Sequence, residues 1–450
     1  MLGLEPSGRA GTSEPDVSRA RVLLAPASVI WKAGAGSENG WLFDIAEALA
    51  GRGYTFEVIA EEADGSGPQV TTVALGKRKI AALGGLALPF RVASEVVRRG
   101  MLANTDLVHH GMPFALGRTF SLLPLLAARR GAPFVLGPVQ VPQSWTGDDE
   151  TWANLDGMPS ARLRARLEVA IETAAGPYAE RILGTFSDAT LRAAAAVVAT
   201  GPSAAGLLVR RGVRASRVRV IPPPVRAGFF AGGGPPGPVE QPVVLTGGVL
   251  VERKGVDEVI EAFAGLQRSG VRARLLVYGD GPRRELLESQ ATRLGIEGST
   301  TFLGWVARQS LPELLRSVDV FVSMSRSESV GVAVAEAMAS GVAVLSAANI
   351  GAREQIRSGE TGLLVDVGDI GACERGLRAL LDDAGLRRRL GAAGARWARS
   401  HVHPEVVSKA WGNLYQDVLS EPRKSSSLAS YDACKGGARW TSQMVRSAPQ

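Results

Sequence analysis

Cysteine is almost absent from this chain: Cys373 and Cys434 are the only two in 450 residues. So few thiols exclude a disulfide framework and a cysteine-built zinc site, and they fit a reducing cytoplasm. No 18-residue apolar stretch is free of charge, so no segment is expected to span a bilayer. Residues 1–20 carry Glu5, Glu14 and Asp16 and no apolar centre, unlike a secretory leader. Aromatic residues make up only 6% and do not accompany the cations, which argues against nucleic acid as a partner. There is no Asp-x-Asp pair and no His/Cys cluster, so neither a metal nor another cofactor is implied. Lysine is scarce as well: seven of the 51 basic residues, the rest being arginine, in a chain of net charge +7. Polyanions, membrane surfaces and phosphorylated ligands are the partners such a balance favours.

What is present is an ordinary globular composition, 45% hydrophobic and 21% charged, long enough for two domains or more. Short apolar runs alternate with helical stretches from residue 21 onward, and the same rhythm restarts at Val243. This pattern predicts an α/β chain with two Rossmann-like, doubly wound parallel sheets facing each other across a cleft. Between the series lies the segment 227–242, with five glycines and four prolines, read as the interdomain linker. The expected organisation is therefore an N-terminal domain over 21–226 and a C-terminal domain over 243–403. A helix over 404–421 should pack back on the N-terminal domain, between disordered tails at 1–20 and 422–450.

The strongest motif is a pair of glutamates, Glu328 and Glu336, with seven residues between them. It follows a strand ending near Val322, which puts Glu328 in a loop and Glu336 inside the next helix. The amides around Ser329, Val330, Gly331 and Val332 then point out of the helix start, where phosphate oxygens bind without side chains. Carboxylates on either side can accept hydrogen bonds from sugar hydroxyls. Two isolated glutamates would read as solvated charges. The apolar run from Val332 to Leu345 around Glu336 argues otherwise.

With these flanks the segment resembles the signature of retaining glycosyltransferases of the GT-B fold, family 4 (group 1) type. The resemblance continues through residues 252–263, 277–282, 302–306 and 351–356. It implies that Lys254 neutralises the diphosphate of a nucleotide-sugar donor, that Glu328 lies beside the transferred sugar and that Glu336 contacts the ribose. Arg253, Gly279, Gly304 and Val306 join the donor-binding set, with base recognition placed near 304–306. Arg253 is nevertheless expected to point away from Lys254. In the N-terminal domain, Gly36 and Ser37 sit in a Gly-rich loop expected to close over the donor phosphates, and His109 or His110 ends a strand near the sugar.

The family usually places an arginine five or six residues before this lysine, where Val249 and Gly248 stand here. Either another arginine supplies the second positive charge or the diphosphate is held more weakly. The resemblance implies retention at the anomeric carbon, a hydroxyl acceptor on a glycan, glycolipid or small molecule, and a leaving phosphate that takes the acceptor's proton. The segment 77–91 mixes Lys77, Arg78, Lys79 and Arg91 with apolar residues, so a peripheral contact with the inner membrane face is a further expectation. A non-catalytic nucleotide-sugar-binding subunit, a phosphorylase on the same fold and an NAD-dependent oxidoreductase are the alternatives. The last lacks its Gly-x-Gly-x-x-Gly after the first strand.

Overall fold

The computed structural model describes residues 20–30, 41–63, 69–75, 84–111, 114–115, 120–140, 183–231 and 241–421. The Gly36 and Ser37 loop, the cations at 77–79 and both expected tails beyond Ala20 and Glu421 lie outside these residues.

The N-terminal half is built on β1 (Arg21–Ile30), β2 (Thr55–Ala63), β3 (Val70–Ala74), β4 (Leu107–His110), β5 (Phe114–Ala115), β6 (Phe134–Gln140), β7 (Ala196–Ala199) and β8 (Val218–Val220). The strands pair in the order β3-β2-β1-β4-β6-β7-β8, with β5 on β6, and every ladder is parallel. The C-terminal half repeats the plan with β9 (Val243–Gly247), β10 (Arg274–Tyr278), β11 (Thr300–Gly304), β12 (Val320–Ser323), β13 (Ala343–Ala347) and β14 (Leu363–Val365). Its order is β11-β10-β9-β12-β13-β14, again parallel. Central strands such as β13 are buried at every position, which is why they read as continuous apolar runs rather than alternating ones.

In the C-terminal sheet the winding reverses between β9 and β12, and ligand crevices of open α/β sheets form at such a point, beyond the carboxyl ends of the strands. The two segments that leave it are 248–255 after β9 and 324–331 after β12. They carry Lys254 and Glu328. The fold thus brings together two motifs 74 residues apart in sequence.

The chain crosses between halves twice, and the crossings are tied to each other: Val225 N–H donates to the Val402 carbonyl at 2.8 Å. After the second crossing, the helix Pro404–Ser420 puts Val407, Trp411, Leu414, Tyr415 and Val418 on one face. These spacings of three and four residues form an apolar stripe, and it packs against Leu42, Ile45, Leu49 and Tyr54 of the N-terminal half. Residues Ala227–Phe230 form a 3-10 turn that buries Phe229 and Phe230 in the C-terminal core, so the aromatic pair outweighs the surrounding glycines there. The helix Gly84–Arg98 forms despite Pro89, burying Val92 and Val96 and exposing Phe90 and Val97.

Candidate active site

The helix Val332–Ala339 begins with Gly331 at φ +68°, a left-handed position that favours glycine. That turn aims the first amides of the helix into a cavity of about 220 Å³ beyond the strand ends. Gly248, Val249, Lys254, Tyr278, Gly279, Trp305, Val306, Arg308, Glu328, Ser329, Val330, Gly331, Val332 and Glu336 are among its lining residues. Two glycine turns meet on one wall. A Cβ at Gly279, where φ is +100°, would collide with the Gly248 carbonyl oxygen, so this wall can only be bare backbone. Gly304 stands behind it and accepts a hydrogen bond from Gly279 N–H at 2.7 Å without lining the cavity.

Glu328 is the electrostatic centre. Its Oε1 accepts from Lys254 Nζ at 2.5 Å, Ser325 Oγ at 3.0 Å and Arg253 Nη1 at 3.1 Å. Burial works to raise this carboxyl, but Lys254 and Arg253 outweigh it and hold the group below the usual carboxylate range. It is therefore ionised at neutral pH. The expectation that Arg253 points away from Lys254 is corrected: the 3-10 turn Glu252–Lys254 lets both side chains converge on one oxygen. Arg253 also donates to the Ser327 carbonyl at 2.9 Å, and it braces Glu328 from behind rather than lining the cavity.

Glu336, one turn into the helix, is only 3% exposed and accepts from Arg308 Nη2. Here burial wins over Arg308 and pushes the carboxyl up to about 7. The two glutamates of one motif thus differ in protonation at neutral pH, because Lys254 and Arg253 both hydrogen-bond Glu328 whereas Arg308 is the cation bonded to the more deeply buried Glu336, with Arg226 adding only a weaker pull. Nothing in the sequence singled out Arg308. The signal available was its place four residues past Gly304, in the loop already assigned to the donor.

The histidines sit elsewhere. His109 is buried, its ring against Trp411, with Nε2 3.1 Å from the Gly137 carbonyl and Nδ1 2.8 Å from the Tyr415 hydroxyl. The carbonyl can only accept, so Nε2 carries the proton and Nδ1 accepts from Tyr415. Burial pushes the imidazole down to about 3, and the ring is neutral. His109 fastens the C-terminal helix to the N-terminal sheet and has no ring nitrogen left for a sugar. His110 is also buried, its imidazole likewise pushed down to about 3 by burial and by His109. Neither histidine lines the cavity.

Glu336 gives a pH prediction. The family resemblance gives Glu336 to a donor's ribose; on that expectation the ionised carboxylate is the better acceptor for two hydroxyls, and donor binding selects the deprotonated form. Affinity should climb as pH rises toward about 7 and level off above it. Between pH 8 and pH 6 the expected loss is about tenfold, and Glu336→Gln should flatten the profile. Arg308 and Arg226 bear on this carboxyl as cations, and burial moves the neighbouring Tyr278 hydroxyl further up, away from that range. Calorimetry with a sugar-linked diphosphate, esterified at both ends and so not itself titrating there, reads the effect. A flat wild-type profile counts against it.

Comparison with known proteins agrees with this geometry. Residues 235–397 match the family model for glycosyl transferases group 1, and residues 42–224 match that for a glycosyl transferase 4-like domain. The lipopolysaccharide core biosynthesis glycosyltransferase LpsE of Rhizobium meliloti is 37% identical over 177 residues, covering 39% of this chain and 50% of its own. A GDP-mannose-dependent alpha-(1-6)-phosphatidylinositol monomannoside mannosyltransferase of Mycolicibacterium smegmatis is 33% identical over 166 residues, 35% of this chain and 44% of its own. The matched stretch thus spans about half the length of these curated relatives. Among solved structures, sucrose-phosphate synthase from Thermosynechococcus elongatus aligns over 89% of this chain and 99% of its own, with a TM-score of 0.61 at 20% identity. Anabaena HepE in complex with UDP and glucose aligns over 89% and 100%, with a TM-score of 0.60 at 18% identity. With the paired glutamates around one cavity, two wound sheets and family models matching both halves, the chain belongs to the group 1 glycosyltransferases and has the GT-B fold.

Proposed function

We propose that this protein moves a sugar from a nucleoside-diphosphate sugar to a hydroxyl acceptor, with retention at the anomeric carbon. The observation that carries the reading is the Lys254–Glu328 pair beside a set of helix-start amides in a single cavity. The amides and Lys254 hold the diphosphate, which leaves with the electron pair of the broken bond between anomeric carbon and phosphate oxygen. The ionised Glu328 faces the positive charge that develops on the sugar ring. The acceptor oxygen bonds to the anomeric carbon on the face just vacated, and its proton passes to the departing phosphate oxygen. Phosphate charge is carried here by cations and main chain, so the reading calls for no metal. Relatives named for lipopolysaccharide core synthesis and for GDP-mannose-dependent transfer to a phosphatidylinositol mannoside support a nucleotide-sugar donor and a glycan or glycolipid acceptor.

A thermal-stability screen with UDP-, GDP-, ADP- and dTDP-sugars tests the donor half. A donor at a hundred times its dissociation constant stabilises the fold by about 2.7 kcal/mol, which moves the melting temperature measurably. The matching donor is expected to shift it and to release nucleoside diphosphate in the presence of acceptor glycans. No shift with any of the four series would sink the reading.

A further inference from the structure

We propose that Arg308 is the second cation for the donor's diphosphate, in the place that Val249 leaves unfilled. This inference rests on the nucleotide-sugar reading and names a residue that the family resemblance did not assign.

Only two cationic side chains line the cavity among the described residues, Lys254 and Arg308, and each is paired with one of the two lining carboxylates. Arg253, which directly precedes Lys254 in sequence, is turned to the Ser327 carbonyl and the back of Glu328. Val249 lines the cavity but offers no charge. Among the described residues, Arg308 therefore stands as the one arginine that lines the same space as the helix-start amides.

Its position follows from helix geometry. Glu336 lies four residues past Val332, about 6 Å along the axis, and helical side chains tilt back toward the N-terminus. A guanidinium held at the Glu336 carboxyl thus lies beside the first turn, where the amides of 330–332 open. Tyr278, at the end of β10, is near enough to Glu336, Arg308 and Glu328 to be influenced by all three. The groups therefore border one small volume.

The pairing with Glu336 does not use Arg308 up. A guanidinium has five N–H donors, and among the described residues Arg308 gives one hydrogen bond, from Nη2 to Glu336. The remaining donors can engage phosphate oxygens while Glu336 keeps its other oxygen for the ribose. Arg308 then bridges ribose carboxylate and phosphate, and its planar fork suits a phosphate better than an ammonium would.

The test compares charged and uncharged ligands by calorimetry or competition: UDP and GDP against uridine and guanosine, on wild type, Arg308→Gln, Arg308→Lys and Glu336→Gln. Arg308→Gln is expected to weaken the bound diphosphate at least about tenfold more than its nucleoside, which loses only what the further rise of the Glu336 carboxyl costs, with Arg308→Lys between. Diphosphate affinity of Arg308→Gln should also depend less on salt. Glu336→Gln should instead weaken nucleoside and diphosphate by the same factor. Equal losses for both ligands in Arg308→Gln would show that the arginine acts only by holding Glu336, and the proposal fails. No loss for either ligand in both Arg308 variants overturns it too. A wild-type chain that binds none of UDP, GDP, ADP and dTDP removes the donor reading itself, and this assignment with it.

Discussion

Lys254→Met is expected to lower kcat/KM for sugar transfer by about two to three orders of magnitude, equivalent to about 2.7–4 kcal/mol of transition-state stabilisation. The ammonium sits 2.5 Å from Glu328 Oε1, its other two N–H groups uncommitted among the described residues, on the wall that borders the helix-start amides. As the bond to the anomeric carbon breaks, charge accumulates on the leaving diphosphate. A fixed cation in a half-buried pocket stabilises that state more than the ground state, because the leaving oxygen gains charge while the cation need not move. Donor affinity should fall as well, since part of the charge is present before reaction. Methionine keeps the length and apolar stem of lysine, so the loss reports the charge. The same substitution removes the largest electrostatic support of the Glu328 carboxyl, which Arg253 and Ser325 then hold. Lys254→Arg should recover only part of the activity, because a planar fork does not reproduce a point charge. Steady-state kinetics and donor calorimetry on the two variants decide it. Rates within threefold of wild type in Lys254→Met would mean the diphosphate is neutralised elsewhere.

The sheets were legible because they are buried on both faces. A strand covered above and below must be apolar at each position, so β9, β10, β12 and β13 announce themselves as short runs, and the loops between them inherit their places. Once those runs were fixed, Glu328 in a loop and Glu336 in a helix followed from spacing alone. What could not be read is whatever depends on a partner far along the chain. His109 ends a strand in the pattern of a ligand-facing residue, but its role is set by Tyr415, 306 residues later, and no local signal reports that contact. Arg308 looks like any other arginine of a chain rich in them, and only the fold reveals that it meets Glu336. Arg253 was misjudged for a different reason. Adjacent residues on a turn diverge at Cβ, yet two long side chains can reconverge on one oxygen when that oxygen is buried and otherwise short of cations. In the linker, composition pointed to irregular chain while Phe229 and Phe230 found a core to enter. Local rules gave the backbone its frame, and long-range pairing assigned the charges.

Glu328→Gln should separate binding from turnover. In the wild type, Lys254, Arg253 and Ser325 all donate to Oε1, and among the described residues the second carboxylate oxygen of this cavity-lining group has no such donor. An amide can keep one acceptor for Lys254 but carries no charge. Donor affinity is therefore expected to stay within a few fold of wild type, or to tighten, since a negative group beside the diphosphate has gone. Turnover should fall by about a hundredfold or more, because the positive charge on the sugar ring exists only in the transition state and loses the carboxylate that faces it. The contrast with Lys254→Met is the informative part: one variant loses affinity and rate together, the other loses rate alone. It also separates an enzyme from a subunit that merely binds nucleotide sugars, for which neither substitution has a rate to change. If Glu328→Gln loses donor affinity in step with kcat/KM, the carboxylate serves to hold the ground state. The charge it presents to the sugar would then not be what speeds the reaction.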